Sequence, residues 1–373
     1  MKYISKELTR WWTDPWWLDD QYASAYRESI SVEQVNECVL AVSRVFNEAW
    51  LNATRPHRAA YWLVSKGLDP LHFLIALGKD ILATKGARGF REVVRDLRSP
   101  DNYESARLEL SLAALMREEG YGIQFHPKLP NGKSSDLLTT FDDEEVFFEV
   151  KILRASVIDD LLSDFTTWLG IIVDELVAQH GDCFADKSSS IILEPHIADV
   201  FDSKSRLNRE FHKEFAAQTK EEILRHLRAG DQDFYIPNVG TFAFRPKDVL
   251  ANSTIAHHPV SSNVELGRIL RGRLHGIVHQ LPFDRPGIVV FRTPGDLDPS
   301  ISQQAIQGSL DSLGSEGTHV SAAIILPVTY SFPQRWSRFK GFVVKNPRAR
   351  TAVTSLCAYR TLISACGLDE QTD

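Results

Sequence analysis

The sequence predicts an α/β fold preceded by an all-α unit, on three observations. Apolar residues recur at helical spacing from Ser31 to about Arg98, and Arg98-Ser99-Pro100-Asp101 then breaks that pattern. Beyond the break, helical segments alternate with short runs rich in Val, Ile and Phe, the alternation of an α/β domain. The expected division is a helical N-terminal domain at 1–98, whose role the residues do not indicate, and an α/β domain at 99–373.

Each element has a local reason. Ser31 and Gln34 form a capping box ahead of VNECVLAVSRVFNEAW, where Val35, Val39, Val42 and Phe46 supply an apolar stripe. Asp69-Pro70 places an N-cap and an N1 proline before LHFLIALGKDIL, with Gly86 near its end. A helix is expected at 102–119, with Asp101 as N-cap, Glu104 completing the capping box at N3, and Gly120 as the stop. A hairpin follows at 136–152, then a helix at 156–179 and the strand SSIILEPHIA. The second half reads as a polar helix at 205–229, strands around FYIPNV and TFAFRP, and a helix at 262–280. The strands GIVVFR, VSAAIILPV and FKGFVV and a closing helix at 350–365 complete the chain.

The hairpin SSDLLTTFDDEEVFFEVK carries charges where a half-buried strand would carry apolar residues. If Asp142 to Glu145 form the turn, Phe141 faces Val146, Asp136 lies opposite Lys151, and Leu138 lies opposite Glu149. Strand alternation then puts Phe147, Glu149 and Lys151 on one face, and a one-residue slip would turn Asp136 away. Two carboxylates and a lysine on one face suit a hard divalent cation and a water nucleophile. In the preceding helix, Glu109 stands three, four and seven residues before Leu112, Ala113 and Met116, on the apolar stripe, where a carboxylate needs a partner. The bland alternative is that Asp136 caps a turn while Glu149 and Lys151 form a solvated pair.

A helix with an inward Glu, followed by a strand pair carrying D-x(12)-E-x-K, resembles the core of the PD-(D/E)XK nuclease superfamily, the restriction-endonuclease-like fold. The matching residues are Glu109, Asp136, Glu149 and Lys151, and the motif covers about residues 104–152. Ser135 stands where a proline often precedes the aspartate. The resemblance implies a mixed sheet flanked by helices and a metal-dependent nuclease, endonuclease or exonuclease, acting on DNA first among nucleic acids. Asp136, Glu149 and the backbone carbonyl of Val150 would hold Mg²⁺ or Mn²⁺, Lys151 would orient the attacking water and neutralise phosphate charge, and Glu109 would join a second metal or position water. The rival is a non-catalytic nucleic-acid or protein-binding module that keeps the fold as a scaffold.

For substrate contact, Ser331 to Ser355 carries Arg335, Arg338, Lys340, Lys345, Arg348 and Arg350 beside aromatic residues, with no acid among them. A positively charged edge strand would explain the same run. Gly132-Lys133-Ser134 is not a P-loop, because Pro127 stands where the upstream glycine is needed. His275 and His279 lack the adjacent glutamate of a zinc protease helix, and His257-His258 read as loop residues.

Composition sets outer limits. Charged residues make up 24% and hydrophobic ones 43%, as in folded globular chains. A net charge of -7 argues against coating nucleic acid by bulk electrostatics. Four dispersed cysteines suggest neither a zinc site nor a disulfide framework. With no long apolar run, a cytoplasmic protein without membrane contact is expected. Trp11, Trp12, Trp16 and Trp17 read as packing of an N-terminal helix, and the helical domain leaves room for a homodimer or a protein partner.

Overall fold

The computed structural model describes residues 15–24, 26–53, 57–64, 68–152, 187–193, 209–237, 239–246, 254–256, 272–293, 299–327 and 341–366, with a few isolated positions besides. The chain forms two compact units. The larger comprises Trp17–Phe46, Leu68–Ala155 and Ser261–Asp373, and the smaller comprises Met1–Trp16, Asn47–Gly67 and Ser156–Val260.

In the larger unit, helix α1 (Val32–Val45) begins at the Ser31–Gln34 capping box, with both reciprocal bonds made, and buries Val35, Cys38, Val39, Val42 and Val45. It packs on α2 (Leu68–Thr84) so closely that a Cβ on Gly78 would lie 2.4 Å from Cys38 Cβ. Helix α3 (Phe90–Leu97) follows, and then α4 (Tyr103–Glu118), nearly all of which is buried from Ala106 to Met116. Gly120, at φ +90°, ends α4 in a Schellman motif: Tyr121 N donates to Met116 O at 3.0 Å and Gly120 N to Arg117 O at 3.1 Å. α2 also packs against α4, where the Ser111 hydroxyl donates to Asp80 and Arg107 lies 5.1 Å over the Phe73 ring.

The sheet has six strands whose spatial order follows the chain: β1 (Gly122–Phe125), β2 (Leu137–Phe141), β3 (Glu144–Ile152), β4 (Gly287–Thr293), β5 (Val320–Pro327) and β6 (Phe342–Lys345). β1, β2 and β3 are antiparallel, β3, β4 and β5 run parallel, and β6 returns antiparallel to β5. Of the parallel trio, β4 and β5 are buried along nearly their whole described length and read as near-continuous apolar runs, whereas β3 is buried only from Val146 to Val150. The β4–β5 crossover carries α5 (Pro299–Ser312), and one core cluster joins Phe147, Val289, Phe291 and Ile325 to Leu274, Ile277, Ile306 and Leu310. The last helix, α6 (Cys357–Cys366), is capped from the hairpin: the Glu144 carboxylate accepts from Cys357 N at 2.9 Å and Ala358 N at 3.0 Å. Architecture is thus mixed α/β, a six-stranded mixed sheet flanked by helices.

The smaller unit has its own four-stranded sheet, in the order Asp233–Ile236, Gly240–Pro246, Lys187–Leu193, Thr254–Ala256, and the helix Arg209–Arg228. His226, Phe234, Phe242 and Phe244 stack within it.

Two sequence expectations change here. The expected boundary at Arg98 falls inside the larger unit, because α1 packs on α2, α2 and α3 pack on α4, and α3 touches β1, while the segment with the second sheet is inserted in the chain between β3 and β4. Glu104 forms no capping box: Asn102 is the N-cap, and Glu104 Oε2 accepts from Arg292 Nη1 of β4 at 2.6 Å. The expected helix at 156–179 lies largely outside the described residues, and α5 was not foreseen. Trp17 is buried and donates to Asn36 Oδ1 at 2.9 Å, a packing role, while Trp11 and Trp12 lie outside the described residues. Among the described residues, no helix is long and apolar enough to cross a membrane.

Candidate functional site

The β2–β3 turn is tighter than the sequence suggested. Phe141 pairs with Glu144, leaving only Asp142 and Asp143 in the loop, and Asp142 takes the left-handed conformation at φ +50° that Asp tolerates. The pairing Leu137↔Phe148, continued by one residue, sets Asp136 opposite Glu149, not opposite Lys151. The shift is two residues, so strand parity is kept and Asp136, Glu149 and Lys151 still converge. Ser135 fixes the approach to β2: its buried hydroxyl donates to Phe148 O at 2.9 Å.

Three ionisable groups meet there. Asp136 Oδ2 accepts from Val150 N at 2.8 Å and from Lys151 Nζ at 3.0 Å. Glu149 Oε2 lies 2.8 Å from the same Nζ, while its Oε1 accepts from Asp136 N at 3.2 Å. Glu149 is 0% exposed, which removes the solvated-pair alternative, and the Lys151 and Asp136 side chains are about a quarter exposed. The amide and carbonyl of one strand residue point the same way, so the Val150 carbonyl projects toward Asp136, past the first residue of β2.

Glu109 is buried, as its place on the stripe implied, and its partner is His126. The His126 Nε2 lies 3.2 Å from Oε1 and 3.3 Å from Oε2. His126 sits at φ +48°, a conformation rare for a residue with a side chain, and its N–H donates to Asp136 O at 2.9 Å. One residue thus ties the Glu109 carboxylate to the backbone of Asp136. The structure brings Asp136, Glu149 and Lys151 into contact and holds Glu109 on the same cleft through a separate pair.

Electrostatics favour added positive charge at this point. Burial pushes the Glu149 carboxyl up to about 9, with the Asp136 charge adding to the rise and Lys151 opposing it. Burial pushes Glu109 up to about 8, partly offset by its bond to His126 and reinforced by Asp136. His126 rises because it bonds to Glu109, against the effect of burial. Burial would lower Lys151, but the charges of Asp136 and Glu149 prevail and keep its ammonium above the usual range. Two carboxyls held above their ordinary range, Glu109 on the cleft and Glu149 buried behind Asp136 and Lys151, which line it, mark a functional-site candidate.

The cleft measures about 710 Å³ and also contains Arg88, Lys128 and Gln124, none of which the sequence reading singled out. His126 had a weak signal, an HP pair closing the run GIQF; Arg88 and Lys128 had none, since tertiary docking alone brings them in. The donor set fits a small hard cation. Mg²⁺ is commonly bound by one or two carboxylates and completes its shell with water and phosphate oxygens, and here two carboxylates converge on a single cationic centre. Among the described residues, no group of three or more His, Cys, Asp and Glu side chains is placed to hold a metal ion, so an ion here would rest on two carboxylates and non-side-chain oxygens.

The C-terminal basic run is placed differently from this cleft. Arg335, Arg338 and Lys340 lie outside the described residues. Lys345 ends β6, three strand spacings or about 14 Å from β3. Arg348 Nη1 donates to Asp311 O at 3.1 Å, and Arg350 Nη1 donates to Phe283 O at 3.2 Å with its guanidinium 4.1 Å over that ring. Both serve the packing of the β6 end. Among the described residues His275 lies 3.4 Å from Ser312 Oγ, and His257 and His258 lie outside the described residues. No protein-family model, curated protein or solved structure matches the chain.

Proposed function

We propose that the chain is a metal-dependent nuclease of the restriction-endonuclease-like fold, hydrolysing phosphodiester bonds with DNA as the first substrate to test. One observation carries the reading: Asp136 and Glu149, opposite each other across the hairpin, both close on Lys151 Nζ at 3.0 and 2.8 Å, and Asp136 and Lys151 line an open cleft. The mixed sheet and the buried Glu109 on the flanking helix support it.

In this reading Asp136, Glu149 and the Val150 carbonyl would hold Mg²⁺ or Mn²⁺, with Glu109 positioning water beside them. The ion would supply Lewis acidity at a phosphoryl oxygen and a more acidic bound water. Lys151 keeps its proton under the charges of its two partners, so its ammonium is ready to donate to the negative charge that grows on the phosphate. Val150 N–H and Lys151 fix the Asp136 carboxylate, and His126 fixes that of Glu109, so both acids face the cleft without reorganisation.

One feature favours a second reading, a non-catalytic binding scaffold: the Lys151 ammonium already pairs with both carboxyl groups, as it would in a purely structural ion-pair cluster. The two readings separate on plasmid and single-stranded DNA incubated with Mg²⁺ or Mn²⁺. Wild type is expected to cleave, and Asp136→Ala and Lys151→Ala to lose about a hundredfold or more in rate. Equal persistence of the substrates with wild type and variants, with binding retained, selects the scaffold.

A further inference from the structure

Most of the charge facing the cleft is already paired. Asp136 is held by Lys151, Glu109 by His126, and Asp96 by Arg95 and Asn102 at 3.3 and 3.4 Å. Two cations are different: among the described residues, the Arg88 and Lys128 side chains make no hydrogen bond or ion pair, and both are exposed on the cleft.

Their backbones, by contrast, are fixed. Arg88 is bridged to Gln124 along the outer edge of β1, and its carbonyl accepts from Phe125 N at 2.8 Å. The approach is so close that a Cβ on Gly89 would lie 2.2 Å from Phe125 O, and Gly89 sits at φ +81°, so glycine is required there on both counts. Lys128 is bridged to Ser134, and Leu129 N donates to Lys133 O at 2.9 Å, which closes a small hairpin just before Asp136. Two unpaired cations on fixed backbone thus line the same cleft as Lys151. Through Gln124, Leu138 and Phe147, Arg88 lies three strand spacings across and four residues along from Lys151, roughly 20 Å at the backbone, and both side chains line the same cleft.

We propose that Arg88 and Lys128 form a phosphate-binding track that holds the phosphodiester backbone of a nucleic-acid strand beside the Asp136–Lys151 centre. This rests on the nucleic-acid part of the proposed function, not on cleavage. Unpaired cations attract a polyanion with no loss of an existing ion pair, whereas Arg348 and Arg350 would have to leave carbonyl and ring partners. The acid that opposes the track is Glu92, which lines the cleft and has no partner among the described residues.

The test is fluorescence anisotropy of a labelled single-stranded oligonucleotide with the full chain in EDTA, titrated at several salt concentrations. Arg88→Ala and Lys128→Ala are each expected to weaken binding about three- to tenfold and to reduce the salt slope by about 0.7, the loss of one phosphate contact on a single strand. Glu92→Gln is expected to tighten binding, and circular dichroism melting confirms that each variant is folded. The proposal is overturned if Arg88→Ala and Lys128→Ala keep the wild-type slope, if the slope falls instead with Arg348→Gln and Arg350→Gln, or if no strand binds. Loss of binding in the two variants without any cleavage by wild type in Mg²⁺ or Mn²⁺ would sustain the track and refute the nuclease. Cleavage without the slope change would do the reverse.

Discussion

Buried polar side chains at two ends of the six-stranded sheet are held in different ways. Near β5 and β6 each one bonds to backbone. Asn346 Nδ2 donates to Gly317 O at 3.0 Å and Val320 O at 2.8 Å, its Oδ1 accepts from Arg348 N at 3.1 Å, Ser321 Oγ donates to Thr351 O at 3.0 Å, and His319 Nε2 lies 2.8 Å from Val278 O. Near the start of β2, the two buried acids pair with partly exposed ionisable side chains: Glu149 with Lys151, which also holds Asp136, and Glu109 with His126. Neutral polar groups tied to backbone stitch loops to the sheet. Ionisable groups that depend on each other, on an open cleft, leave charge that a ligand can use.

Four outcomes would break or sharpen that contrast. The largest is catalytic: Asp136→Asn should abolish most cleavage, a loss of about 10²- to 10³-fold in rate, with little change in melting, while Asn346→Ala should leave the rate of the folded protein unchanged. Plasmid cleavage time courses check both. Next is stability at the site. Lys151→Met removes the only cation touching Glu149 among the described residues, so it should cost about 3 kcal/mol in urea unfolding, the scale for breaking a buried ion pair, and added Mn²⁺ should recover part of it.

Asn346→Ala strands two carbonyls and one N–H, so it should cost about 1 to 3 kcal/mol, independent of Mn²⁺. The smallest effect is a pH dependence at the same end of the sheet. Burial lowers His319 below its ordinary value, so the unfolded chain takes up a proton first as the solution is acidified. Its contribution is complete above about pH 6.5, the unfolded value, and declines as the pH falls from there toward the folded pKa. His319→Gln should flatten that part of the stability profile, and an unchanged profile would contradict the assignment.

Local signals made much of this legible in the sequence. The Ser31–Gln34 box and the Gly120 stop are set by a few neighbouring residues, and both are formed. Burial of Glu109 was expected from helical spacing, although α4 is in fact buried on every side from Ala106 to Met116. The convergence of Asp136, Glu149 and Lys151 survived a misplaced turn because the error was an even number of residues. What the sequence hid depends on distant partners. Glu104 was read as a cap but is claimed by Arg292, 188 residues later. His126 gains its role only when α4 sets Glu109 beside it, and Arg88 only when its backbone docks on β1. The domain division was obscured because a second sheet interrupts the six-stranded one between β3 and β4.

The central claim is that Asp136 and Glu149 are arranged for a divalent cation. Isothermal titration of Mn²⁺ into wild type, Asp136→Asn and Glu149→Gln tests it most directly. The expected result is saturable binding to wild type that weakens by tenfold or more in each variant while Asn346→Ala binds as wild type does. Mn²⁺ binding that is absent from wild type, or unchanged by loss of either carboxylate, would contradict it.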